Sequence, residues 1–234
     1  MKNLLLTFFI SILSFSSVAS SVLPDVSAIV INEEDGEGTI GIKNTNSYPV
    51  LLYAKVLRLE DDNLSGGALI PSPAAVTVEP GETQIIRIMY KNNTLIDNEH
   101  HARVQFIGLP PKSNKTSGRI NLMVGQDIPV VIRPKGSLIV EDKWKYLKWT
   151  FDSNNLCVSN DTKMVMRFIN TISIKPDNVI VDMKKSYLLP KSKLCAPLPL
   201  NNKINFNPDR MVEFSAVTDF GYIIDNRTSP ILNR

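Results

Sequence analysis

Side chains able to do chemistry are sparse in this sequence. Its two histidines, His100 and His101, are neighbours. Neighbours on an extended chain point to opposite faces, so the pair does not converge on one metal ion; a solvated pair at a loop edge is the expectation. Glu33, Glu34, Asp61 and Asp62 fall in turn-like stretches, where solvation is the simplest state. Asp35-Gly36-Glu37-Gly38 reads as a turn rather than a phosphate cradle, because no helix follows to present its N-terminus. Neither a Gly-x-Ser-x-Gly elbow nor a His-Glu-x-x-His pair occurs. A hydrolase would need convergent acids or a nucleophile–base pair, and neither is visible, so no catalysis and no cofactor is expected. The last reactive groups are Cys157 and Cys195. An even count in an exported chain favours a disulfide, which would stabilise by about 4 kcal/mol in the chain-entropy model; two free buried thiols are the alternative.

Export is read from the N-terminus. Lys2 supplies the charged start, Leu4 to Phe15 an apolar run too short to span a bilayer, and Val18-Ala19-Ser20-Ser21 small residues for cleavage. Residues 1–20 are therefore expected to be a signal peptide. No later apolar run approaches membrane-spanning length, so no insertion is expected once the signal is removed. The 234 residues allow one large domain or two small ones. With 43% hydrophobic and 21% charged residues, a packed core is expected. The net charge of +3 has no basic run behind it, which excludes an electrostatic case for nucleic acid. Asn-x-Ser/Thr triplets at Asn63, Asn92 and Asn114 carry little weight in so Asn-rich a chain.

The segment around which the other elements must be arranged is 118–134, GRINLMVGQDIPVVIRP. Ile120, Leu122 and Val124 share one parity, which Ile128, Val130 and Ile132 continue, as in a β-strand. The run would reach roughly 45 Å, about twice a typical strand. Its first half reads as a partly exposed edge and its second half as an anchor. A long central strand with no binding role fits the same pattern. Before it, strands are predicted at Val26–Ile31, Thr39–Lys43, Val50–Leu59, Val76–Val78, Gln84–Tyr90 and Ala102–Ile107, with Glu79-Pro80-Gly81-Glu82 as a type II turn. Seven short strands separated by turn chemistry point to an immunoglobulin-like sandwich. After Pro134, Lys135-Gly136-Ser137 reads as a linker. A second, smaller β-domain follows, with strands at Met164–Ile169, Ile172–Ile174, Val179–Met183 and Val212–Val217, a loop at Pro190–Pro199 and a polar tail from Asn226. The expected division is 21–135 and 136–234.

Four pieces in order resemble the PapD-like family of periplasmic pilus chaperones of the chaperone–usher pathway. They are Val78-Glu79-Pro80-Gly81 followed by QIIRIMY; Glu99 followed by ARVQFIGLPPKSNK; RINLMVGQDIPVVIRP; and Thr218-Asp219-Phe220-Gly221. The resemblance spans nearly the whole mature chain and is strongest over residues 76–134. It implies an all-β fold of two immunoglobulin-like β-sandwiches set at an angle, boomerang fashion. It also implies binding by β-augmentation, with Ile120, Leu122 and Val124 lent to an incomplete pilus or fimbrial subunit that is then passed to an outer-membrane usher. The short loop before the strand resembles the short-loop subfamily. Arg133 between Glu99 and Asp219 matches an interdomain ion cluster. The family's cationic pair for the subunit's C-terminal carboxylate, an Arg on the first strand and a Lys on the binding strand, maps to Ala28 and Pro129, which cannot hold an anion through their side chains. Arg87 or Arg103 is the candidate substitute. The alternative function is a secreted two-domain adhesin or structural pilus component, which should carry a donor extension; few residues separate the expected cleavage site from the first strand.

Overall fold

The computed structural model describes residues 22–62, 64, 67–111, 124–199 and 209–232. The expected signal peptide and, within the expected donor segment, Ile120 and Leu122 lie outside the described residues. The first half of the chain forms β1 (Val22–Pro24), β2 (Ile29–Asn32), β3 (Glu37–Asn44), β4 (Val50–Leu57), β5 (Ala68–Ser72), β6 (Ala75–Val78), β7 (Thr83–Lys91), β8 (His100–Leu109) and β9 (Gln126–Arg133). The second half forms β10 (Leu147–Asp152), β11 (Asn155–Asn160), β12 (Met166–Arg167), β13 (Thr171–Lys175), β14 (Val179–Asp182), β15 (Tyr187–Leu188), β16 (Ser192–Pro197), β17 (Met211–Val217) and β18 (Ile223–Leu232). One 3₁₀ turn, Lys143–Tyr146, precedes β10.

Period-two patterning builds the first sandwich. Val50, Leu52 and Ala54 of β4 point inward while Leu51 and Tyr53 point out; Ile86, Ile88 and Tyr90 of β7 do the same opposite Ile85 and Arg87. A four-stranded sheet, β1-β3-β7-β5, and a five-stranded sheet, β2-β9-β8-β4-β6, close over these side chains together with Val104, Phe106, Val130 and Ile132. Both outer strands of the four-stranded sheet contain a proline, Pro24 in β1 and Pro71 in β5. At the expected type II turn, Glu82 N–H donates to Glu79 O and Gly81 takes φ +78°.

The second sandwich has its own core, centred on Trp149, which meets Phe168 edge-on and Phe214 at a tilt. Its main sheet runs β14-β13-β17-β18-β10-β11-β16, with β12-β15 as a separate pair. Cys157 and Cys195 sit opposite each other on β11 and β16 and form a disulfide, so of the two readings the bridge is the one observed.

Several predicted elements change. The predicted strand Val26–Ile31 is shorter than expected, with only its second half in β2 (Ile29–Asn32), and an unpredicted strand, β1, precedes it in the four-stranded sheet. The chain changes sheets through Asp25, whose N–H donates to Gly41 O and whose carboxylate accepts from Gly41 N–H. A Cβ at Gly41 would lie 2.4 Å from Asp25 Oδ2, so a larger residue there would push the Asp25 carboxylate out of this position. β5 is likewise an unpredicted strand, and with β1 it makes nine in this half among the described residues. The expected loop at Pro190–Pro199 contains β16, and the expected tail contains most of β18, which is antiparallel to β17 and parallel to β10. β16 does alternate, with Leu194 and Ala196 facing the core, but its flanking lysines and prolines read as loop, while the mostly polar β18 lacks the apolar alternation that marks β4 and β7.

Phe106 is fully buried at the centre of the first sandwich. Phe106→Ala is expected to lower unfolding free energy by about 3–5 kcal/mol, seen as a reduced urea midpoint at unchanged slope.

Candidate functional site

The site is the margin of the five-stranded sheet at β9. β8 pairs with β9 from Gln126 through Ile132, whereas β2 covers only Val130 to Arg133. Among the described residues Asp127, Ile128 and Pro129 therefore have a strand on one side only. The change of sheet between β1 and β2 produces this margin, because the first strand arrives beside β9 only at Ile29. Ile128, Val130 and Ile132 point into the first core. Val124 has the same parity but lies beyond the core and is 44% exposed. An unpaired ladder edge continued by an exposed apolar side chain of core parity can accept an extended strand from another chain.

The two halves of the molecule are tied at the other end of β9. Arg133 Nε donates to Glu99 Oε1 at 3.2 Å and Nη2 donates to Asp219 Oδ2 at 2.7 Å. Lys143 contacts Asp219 and lies 3.7 Å from Glu99 Oε2. Glu99 Oε2 also accepts from Val165 N–H, and Glu99 N–H donates to Lys163 O. These four side chains are only 4–11% exposed, and two cations balance two anions. The predicted trio thus comes together. Lys143 was not predicted: a buried ammonium is legible only through its distant partners. Beside the cluster, Gly221 at φ +86° leaves no room for a Cβ, which would meet Ser27 Cβ at 2.6 Å.

A second set of contacts joins the halves and was not foreseen. His101 is 3% exposed, not solvated. Its ring packs edge-on against Tyr187, and its Nδ1 donates to Val130 O at 3.0 Å, which fixes the neutral tautomer. β4 ends at Leu57, so the loop after it swings Asp62 over the end of β8, where it accepts from His101 N–H and pairs with His100 Nδ1. Asp61 accepts from Tyr187 Oη–H at 2.8 Å and pairs with Lys185. Burial pulls the Asp61 carboxyl up, but the bonds from Lys185 and Tyr187 outweigh it and hold the group below its usual range. Burial and the bond to Asp61 push the Tyr187 phenol up. Burial depresses His101 to about 4, helped by Arg167 and Arg103 and opposed by the Val130 carbonyl and Asp62.

Of the two candidate anion holders, Arg87 lies on the four-stranded sheet, exposed beside Glu37. Arg103 lies on β8 opposite Pro129, bonded to Asp127. Arg167 stands near Arg103 and Asp219, donates to Thr218 O, and is lowered by burial to about 10. Ala28 and Pro129 are buried and offer no cation. Among the described residues no group of three His, Cys, Asp or Glu side chains could hold a metal, and no helix is long and apolar enough to cross a membrane.

Arg133→Met would leave Glu99 and Asp219 facing Lys143 alone. An expected loss of about 3–5 kcal/mol is read from urea unfolding. For His101 the folded state resists a proton that the unfolded chain takes near pH 6.5. Stability is therefore full above that pH and declines by about 3 kcal/mol as pH falls to about 4. His101→Gln is expected to flatten the slope of unfolding free energy against pH over that interval.

Residues 21–137 match the family model described as pili and flagellar-assembly chaperone, PapD N-terminal domain. The chain is 30% identical over 222 residues to the fimbrial chaperone YhcA of Escherichia coli K12, covering 95% of each. Its fold is similar to the structure of the Salmonella enterica SafA pilin in complex with the SafB chaperone, at TM-score 0.75 and 18% identity over 92% of this chain and 99% of that one. It is also similar to the E. coli chaperone DraB, at TM-score 0.71 and 19% identity over 92% and 97%. A match across half the chain to the family model, and a relative aligned over nearly its full length, establish that this two-sandwich protein belongs to the fimbrial chaperones of chaperone–usher pili, a family of periplasmic assembly factors rather than enzymes.

Proposed function

We propose that this chain binds a fimbrial subunit in the periplasm by donating residues 118–126 to the subunit's incomplete sandwich, and then delivers the subunit to an outer-membrane usher. Ile120, Leu122 and Val124 are the side chains that enter the groove left by the missing strand. Such binding needs free backbone groups for the ladder and apolar side chains at every second position to fill pockets. The observation that carries the reading is the half-open state of β9: Asp127 to Pro129 pair with β8 alone, and Val124 is exposed just beyond. The buried Arg133 cluster supports it by fixing the second sandwich beside that strand's anchored end. Arg103, next to β9, stands closer to the proposed subunit path than Arg87, so it is the better placed of the two to meet an anion there.

Co-expression with a fimbrial subunit is expected to give a one-to-one complex on size-exclusion chromatography. Leu122→Arg would place a charge in an apolar groove, and an affinity loss of about 100-fold or more is expected. An unchanged complex would show that the strand is not donated.

A further inference from the structure

The margin of β9 is not uniformly open. Alternate residues of a strand direct their N–H and C=O to opposite sides. Arg133 O accepts from Glu33 N–H, which continues the β2 side, so Arg133, Val131, Pro129, Asp127 and Gly125 direct their backbone groups away from β8. The register on the other flank agrees: Ala54 N–H donates to Ala74 O on the β6 side, which leaves the odd-numbered residues of β8 facing β4 and the even-numbered ones facing β9.

Two of those outward positions are already spent. Pro129 has no N–H to offer. The outward carbonyl of Asp127 accepts from Arg103 Nη2 at 2.9 Å, while Arg103 Nε holds the Asp127 carboxylate at 2.8 Å. The guanidinium reaches across the face of β9 from β8 and grips one residue twice, a charge-assisted geometry with fixed direction. A strand arriving alongside would have to compete with Arg103 Nη2 for that carbonyl, against a guanidinium held in place by its second bond to the carboxylate, and would find no donor at Pro129.

We propose that the Arg103–Asp127 clasp is a register stop: a subunit strand added to this margin ladders with Gly125 and ends before Asp127. This rests on the strand-addition reading above and assigns where the added strand must end. Arg103 is thereby a positioning residue, setting which subunit side chain meets which pocket, since a one-residue slip would turn every side chain to the wrong face.

Residue-resolved amide exchange tests this, with a co-expressed fimbrial subunit as the probe. The Gly125 and Asp127 amides both face the margin. In the complex the Gly125 amide is expected to slow by about tenfold or more relative to the free protein, while the Asp127 amide exchanges as before. In the Arg103→Met complex both are expected to slow, because the ladder can advance; Arg103 is at the surface, and the exchange map of the free variant reports its fold directly. Slowing of both amides in the unaltered complex overturns the stop. An Asp127 amide still unaffected in Arg103→Met assigns the stop to something other than the clasp and also overturns it. If neither amide slows while a complex forms, strand addition itself is wrong.

Discussion

Arg133 is a charge that the fold cannot leave alone. It closes β9, is nearly shielded from water, and is compensated from both halves of the chain: Glu99 from just before β8 and Asp219 from the turn before β18. A buried guanidinium with one carboxylate missing is costly, and a complete set is self-consistent. Lys143 makes the set neutral and brings in the 3₁₀ turn that leads to β10. The cluster is thus a specification of arrangement more than a source of net stability. It ensures that whatever lies along β9 is held at a defined position relative to the second sandwich.

The opposite end of β9 is governed by an omission. The first strand of the chain splits between two sheets, and Asp25 with Gly41 holds the crossing point. Had that strand lain wholly in the five-stranded sheet, more of β9 would be flanked and the margin would shrink. One crossing, fixed by a carboxylate and a residue without a side chain, therefore sets how much of β9 is left open to a foreign strand.

The legibility of the sequence was uneven for physical reasons. The parity shared by Val124, Ile128, Val130 and Ile132 was plain, because half-buried strands write their burial at every second residue. The ion cluster was readable only by family resemblance, since nothing local links Glu99, Arg133 and Asp219. The crossing between β1 and β2 was hidden: β1 is too short to read as a strand, and the role of Asp25 is marked by its tertiary partner Gly41 rather than by composition. β18 was hidden for a different reason, its polar residues giving no alternation to see. His101 looked solvated because only the early end of β4 lets Asp62 and Tyr187 close over it.

The prolines in β1 and β5 have a consequence for association. A fibre of identical copies needs each molecule to present two competent flanks, one to receive and one to offer. Both outer strands of the four-stranded sheet are blunted by a ring that lacks an amide proton, Pro24 on one and Pro71 on the other. A copy that attached itself through β9 would therefore find no unblunted seam on that sheet for the next one.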